Sequence, residues 1–235
     1  MGGLTEVAGV VLANSTRRVE VAGQNIANST TGGYKRRIPF ARVLEGGGQP
    51  SSLPGIDSRV DLSPGKLVET SNSADLAILG DGFFSVKTGE RTLFTRQGQF
   101  RLDEGGRLVN AAGQVLQAAG GGDLALQAGP FVVRSDGTVL QGGEPVDRIA
   151  LAHFESSEAL RPDQGGAFAA VDGFVSQESP SATVRQGAYE ASNVSTGEEM
   201  VAIMESLRQA EAGQRLMTVY DDLMGRAVTT FGQSQ

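Results

Sequence analysis

The stretch TGEEMVAIMESLRQAEAGQRLMTVYDDLMGRAVTTF, residues 196–231, decides how the rest of the chain is read. Thr196 and Glu199 have the spacing of a capping box, in which a hydroxyl and a carboxylate satisfy free N–H groups at a helix start. Met200, Ile203, Met204, Leu207, Ala210, Met217, Tyr220, Leu223, Met224, Ala227 and Phe231 then recur at spacings of three and four, the period of one helix face. The pattern predicts a helix of about 30 residues, roughly 45 Å long. Such a helix outruns a β domain of about 100 residues, whose radius of gyration is only ~13 Å. Its stripe therefore needs a partner from elsewhere.

The one comparable stripe lies at the opposite end of the chain. Leu4, Val7, Ala8, Val11, Ser15, Val19, Ala22 and Ile26 follow the same spacing and predict a helix over residues 1–27. Gly2, Gly3, Gly9 and Gly23 weaken it, since an interior Gly costs about 1 kcal/mol relative to Ala. The run Asn28-Ser29-Thr30-Thr31-Gly32-Gly33 then ends it with turn-forming residues. Two long amphipathic helices at the termini are expected to pair as a coiled-coil-like core, with each other and with copies from neighbouring subunits.

Between them the chain changes character. Over residues 35–75, Gly46-Gly47-Gly48 and the prolines at 50, 54 and 64 exclude a long helix. Short extended pieces are expected at Ile38 to Leu44 and Gly65 to Thr70, within an extended connector. Residues 76–178 read as β: Ala77-Ile78-Leu79, the turn Gly80-Asp81-Gly82, then Phe83-Phe84-Ser85-Val86, with Thr92 to Thr95 and Gln99 to Leu102 following. A faint repeat with an offset of 31 residues aligns Phe100–Val109 with Phe131–Leu140, placing Gly106 and Gly137 in equivalent turns and predicting two similar hairpins. Chance and duplication account for that likeness equally well. The expected fold class is α+β, with a helix and its turn at 1–34, a connector at 35–75, a mainly antiparallel β domain at 76–180, and a strand and long helix at 181–235.

Composition excludes several chemistries. A net charge of -7 makes the chain a poor nucleic-acid binder and a poor ligand for anionic lipid. It holds no cysteine, which removes disulfides, thiolate catalysis and Cys-ligated metals. Residues 1–27 lack a basic start followed by a continuous apolar block, so no cleaved signal peptide is expected, and no stretch approaches the ~18 apolar residues of a spanning helix. Stable membrane insertion is therefore not expected.

No catalytic constellation emerges. The single histidine, His153, sits in a strand-like segment without the partners of a triad, and one His with no Cys makes a poor zinc site. Gly80-Asp81-Gly82 lacks the Gly-Lys-Ser/Thr ending of a phosphate loop and runs into a strand instead of a helix. The pairs Glu198-Glu199 and Asp221-Asp222 are adjacent on a helix, about 100° apart, and cannot converge on one substrate. No catalytic, cofactor-binding or metal-binding residue is assigned. Lys35-Arg36-Arg37 with Arg42 is the one basic cluster, suited equally to a solvated face and to acidic patches on neighbours.

Three ordered blocks then carry a resemblance. Asn25-Ile26-Ala27-Asn28 with Thr31-Gly32-Gly33-Tyr34-Lys35 resembles the N-x-A-N-x-x-T-x-G-[FY]-[KR] signature that follows the first helix of flagellar rod and hook proteins. Ala74-Asp75-Leu76-Ala77-Ile78, Gly80-Asp81-Gly82-Phe83-Phe84, Thr95-Arg96-Gln97-Gly98-Gln99-Phe100 and Asp103–Val109 resemble that family's central β domain. Gln186-Gly187-Ala188-Tyr189-Glu190-Ala191-Ser192-Asn193-Val194 resembles the motif before its last helix. Within the family, the length and the Ser-Thr-Thr-Gly run resemble proximal-rod members, with distal-rod members the alternative.

The resemblance implies a structural subunit of the rod that transmits torque from motor to hook. It also implies export without cleavage through the flagellar type III export apparatus and a location inside the periplasm. Partners would be other copies of the chain and neighbouring rod proteins. The residues expected at the assembly interface are Leu4, Val7, Val11, Val19, Asn25, Ile26, Asn28, Tyr34 and Lys35 on the N-terminal side. On the C-terminal helix they are Met200, Ile203, Met204, Leu207, Met217, Tyr220, Leu223 and Met224. A periplasmic glycan-binding β-domain protein is the alternative from another class; it would need an aromatic platform or a carboxylate pair across a cleft, and the chain has no Trp.

Overall fold

The computed structural model describes residues 3–42, 55–171, 174, 177–179 and 182–232. These form two compact units. The first comprises the helix Gly3–Ala27 (α1), residues 37–42 and 55–59, and the chain from Ser195 through the helix Thr196–Gly232 (α2). The second comprises residues 28–36 and the chain from Val60 to Val194. Gly46-Gly47-Gly48 and the prolines at 50 and 54 lie outside the described residues, as does Leu44.

In the first unit α1 and α2 lie side by side and antiparallel. Gly213 faces Ala8 and Val11, Gly9 faces Met217, and Asn25 reaches Glu199, so rising numbers on one helix meet falling numbers on the other. Small and polar groups line the contact stripe, namely Ala8, Ser15, Ala22 and Asn25 on α1 and Glu199, Ser206 and Gly213 on α2, all buried, with larger side chains such as Val11 and Met217 half-buried beside them. Small side chains let two backbones approach and pack by close contact instead of by interlocked large side chains. This corrects the coiled-coil-like core expected from the sequence. The large side chains meant for such a seam, Met200, Met204, Leu207 and Leu223, are exposed, while the fold remains α+β. The strands Arg37–Arg42 and Gly55–Val60 pair as a small sheet beside the helices.

The second unit is almost entirely antiparallel β structure. Its largest sheet is built on the strand Phe83–Thr88, which pairs with Arg91–Thr95 through a tight turn at Gly89-Glu90. On that side the sheet continues through Ala167–Ala170 to Leu160–Pro162. On the other it runs through Val115–Leu116 and Leu108–Asn110 to Phe100–Leu102. Leu151–His153 also pairs with the central strand. Successive side chains of a strand point to opposite faces, so Phe84 and Val86 enter one core and Phe83 another. The first core adds Leu76, Leu108, Leu116, Leu124, Val139 and Ile149, all essentially inaccessible to solvent. In the second, Phe83 meets Phe154 and Phe168 edge to face, with ring centroids 6.1 and 5.8 Å apart.

The two hairpins expected from the 31-residue offset are both present. Phe100–Leu102 pairs with Leu108–Asn110, and Phe131–Val133 with Thr138–Gln141. Their turns repeat bond for bond: the Asp103 N–H donates to the Arg107 carbonyl (2.9 Å) and the Gly106 N–H to the Asp103 carbonyl (3.0 Å). One offset later the Arg134 N–H donates to the Thr138 carbonyl and the Gly137 N–H to the Arg134 carbonyl, both at 2.9 Å. Two shorter pairings, Leu76–Leu79 with Thr183–Gln186 and Leu67–Glu69 with Ala188–Glu190, join early and late parts of the chain.

Candidate assembly surface

Helix α2 starts one residue from the Thr196 cap expected from the sequence. The Glu199 N–H donates to the Ser195 carbonyl (3.1 Å), the first helical bond, which makes Ser195 the cap. Glu198 and Glu199 place negative charge in the first turn, where it stabilises the helix dipole. The Glu199 carboxylate also accepts from Asn25 Nδ2 (3.1 Å). Asn25 is completely buried; its Nδ2 also donates to the Arg37 carbonyl and its Oδ1 accepts from the Arg37 N–H, each at 2.9 Å. One amide thereby fastens the end of α1, the start of the strand Arg37–Arg42 and the first turn of α2.

At 100° per residue, α2 has three faces. Glu199, Ser206, Gly213, Met217 and Tyr220 fall on the inner face, buried or half-buried. Met200, Met204 and Leu207 form an outer ridge within about 60° of arc. Further along the helix, Leu216, Val219 and Leu223 form a second ridge roughly 130° round from the first, while Val201 stands apart near the helix start. These seven side chains, with Met224, are between 41% and 59% exposed. Soluble surfaces carry scattered apolar residues without consequence, but contiguous rows along a helix mark interaction sites. Arg208, Glu211, Ala212 and Arg215 border a shallow depression with Leu216 and Val219. No helix among the described residues is long and apolar enough to cross a membrane.

The sequence-named residues thus separate. Met200, Met204, Leu207, Leu223, Met224 and, on α1, Val7 are exposed. Val11, Val19, Ile26, Ile203, Met217 and Tyr220 are half-buried along the helix pair. The Leu4, Ala227 and Phe231 side chains lie outside the described residues. Leu216 and Val219 lie off the single stripe that the sequence pattern marks; their spacing of three and four with Leu223 is the signal that could have found them, and Val201 carries no such signal.

Asn28, Tyr34 and Lys35 belong to the second unit, where the three motif blocks meet. Lys35 Nζ donates to Glu190 Oε1 (2.6 Å) and to the Ser63 carbonyl (2.7 Å). Arg96 Nη1 donates to Glu190 Oε2 (3.2 Å), and its Nη2 to the Gly80 carbonyl (2.7 Å). The side chains of Lys35, Glu190 and Arg96 are 1%, 4% and 7% exposed. Burial holds the Lys35 ammonium below its ordinary pKa, against the opposing pull of Glu190. Asn193 accepts from the Arg36 N–H (2.7 Å) and donates to the carbonyls of Asp61 (3.1 Å) and Ser63 (3.0 Å). Gly33, at φ +68°, lies so close to Arg96 and Gln97 that a Cβ would sit 2.2 Å from the Gln97 nitrogen. Tyr34 and Asn28 are half-buried in the same segment. Glu190, Arg96 and Asn193 all stand inside the three motif blocks, yet nothing in their spacing says what each of them touches.

Known proteins match this arrangement along its length. The family described as "Flagellar hook protein FlgE/F/G D1 domain" matches residues 77–153, and "Flagellar basal body rod FlgEFG protein C-terminal" matches residues 185–230. The flagellar basal-body rod protein FlgF of Mesorhizobium japonicum is 30% identical over 222 residues, covering 92% of this chain and 92% of the relative. The chain belongs to the flagellar basal-body rod protein family. FlgF of Caulobacter vibrioides is 29% identical over 92% of this chain and 93% of its own length. FlgG of Bacillus subtilis is 28% identical over 92% and 94%. Like those relatives, this chain is a structural protein of the flagellar basal body and not an enzyme. The second family match runs from the strand Thr183–Gln186 through nearly all of α2, so it takes in both outer ridges.

Proposed function

We propose that this chain is a FlgF-like subunit of the proximal rod that polymerises through its terminal helices into the shaft carrying torque from motor to hook. The observation that carries the reading is the pair of apolar ridges on α2, left uncovered after α1 has taken the inner face. Fully burying a Leu or Met contributes about 1.5–3 kcal/mol and these side chains are about half exposed, so each has roughly 1 kcal/mol still to gain and several along one helix supply an assembly interface. The partners are other copies of the chain and neighbouring rod proteins. The helices at both ends gain little stability without tertiary packing, which suits a chain passing a narrow channel before it orders on assembly. Export through the flagellar type III apparatus without cleavage, and a place within the periplasm, complete the reading.

The test is Leu207→Asp in cells that lack the native protein. Motility and incorporation into purified basal bodies should be lost, while the β unit keeps its melting transition. Normal incorporation would overturn the interface. A distal-rod role is the second reading, supported by the FlgG likeness. Complementation separates the two: rescue of a strain lacking FlgF, and not of one lacking FlgG, supports the proximal position.

A further inference from the structure

The carboxylate of Glu190 ties together four stretches of chain that are far apart in sequence. It accepts from Lys35 Nζ, from the Gly65 N–H (2.7 Å) and from Arg96 Nη1, while the Glu190 carbonyl accepts from the Gly33 N–H (2.6 Å). Backbone bonds reinforce the same junction: the Ala191 N–H donates to the Lys66 carbonyl (2.7 Å) and the Asn193 N–H to the Tyr34 carbonyl (3.4 Å). Lys35 and Glu190 are separated by 155 residues. The segment that follows α1 and the segment that precedes α2 therefore share one buried anchor, and neither hydrophobic core contains residues from 28–36 or 189–194.

We propose that the Lys35–Glu190–Arg96 triad is a latch through which residues 28–36 and 188–194 open and close as one local unfolding unit, while the β core stays folded. The physical ground is asymmetry. Breaking a buried ion pair leaves an uncompensated charge, so partial opening is penalised and the arms are held or released together. The strands around Phe84 and Leu116 owe their stability to apolar burial and do not depend on that charge. The inference rests on the triad's geometry alone and stands whether or not the rod reading holds.

The experiment is native-state hydrogen exchange with reagent labelling of lysine on the full chain. The amides of Gly33, Gly65, Ala191 and Asn193 should exchange through a common opening with a shared denaturant dependence, more readily than Val86. Lys35 should acylate only through that opening. Glu190→Gln should speed both exchange and labelling about tenfold or more, since a hydrogen bond to a charged group carries about that much. Lys35→Met removes one cation and leaves Glu190 paired with Arg96, so it is the second variant should Glu190→Gln fail to fold. It should speed exchange equally at Gly33 and Asn193. Separate openings of the two arms, a Lys35→Met effect confined to residues 28–36, or opening only with global unfolding would each overturn the latch.

Discussion

Asn25 Nδ2 donates to Glu199 Oε2 over 3.1 Å, joining the last turns of α1 to the first turn of α2 across 174 residues of sequence. The contact is buried, and the same amide holds both backbone groups of Arg37. Asn25→Leu would strand those groups, at about 1–3 kcal/mol for each buried group left unpaired. The helical signal in circular dichroism should melt at lower temperature. Asn25→Asp should do more damage at pH 7 than at pH 4, because it sets a second carboxylate against Glu199. Equal effects at both pH values would exclude charge repulsion as the cause.

Gly98 should not tolerate a side chain. A Cβ there would lie 1.6 Å from the Leu76 carbonyl oxygen, and the Gly98 carbonyl accepts the Leu76 N–H at 2.8 Å. Gly98→Ala is expected to cost about 3 kcal/mol or more, read as a lower urea midpoint with an unchanged slope. Gly120→Ala is the control: nothing lies within 4 Å of its Cβ position, and the change should stay within about 1 kcal/mol of neutral.

Leu216→Gln, Val219→Gln and Leu223→Gln alter the second outer ridge of α2, where each side chain is more than half exposed. Each should shift stability by no more than about 0.5 kcal/mol. Sedimentation velocity of the triple variant should show weaker self-association. A large loss of stability would mean that the ridge is covered within the monomer.

Lys35 should lose its proton below the ordinary lysine value of 10.5, because burial disfavours the charged form more than Glu190 favours it. Between its lowered value and 10.5 the unfolded chain binds more protons than the folded one, so this group makes stability rise with pH. The chain has three lysines, Lys35, Lys66 and Lys87, so side-chain NMR can follow Lys35 alone. Lys35→Met should remove that rise.

Three turn carboxylates act at the other end of the pH scale. Backbone N–H groups of Arg107, Thr138 and Gln164 hold Asp103, Asp136 and Asp163 below the ordinary 3.8. Their stabilisation is complete above that value and is lost as pH falls through the lowered values. Asp163→Asn should flatten the acid limb of the stability curve; an unchanged limb would remove Asp163 as a contributor.

The sequence by itself determined the elements. Spacing of three and four marked both terminal helices, and Thr196 with Glu199 marked the start of the second within a residue. Gly106 and Gly137 marked equivalent turns, and the alternation at Phe83–Val86 marked the central strand. These are local matters of period, cap and turn, which neighbours in sequence impose. Only the tertiary structure decided how the apolar stripes are used. Small residues such as Ala8 and Gly213 took the helix contact, because close backbone approach needs little volume, and this left Met200, Met204 and Leu207 facing solvent. It also decided the meaning of Lys35, which reads as part of a basic surface cluster and is a buried partner of Glu190. Burial of a charge depends on what the rest of the chain brings to it, and that partner stands 155 residues away.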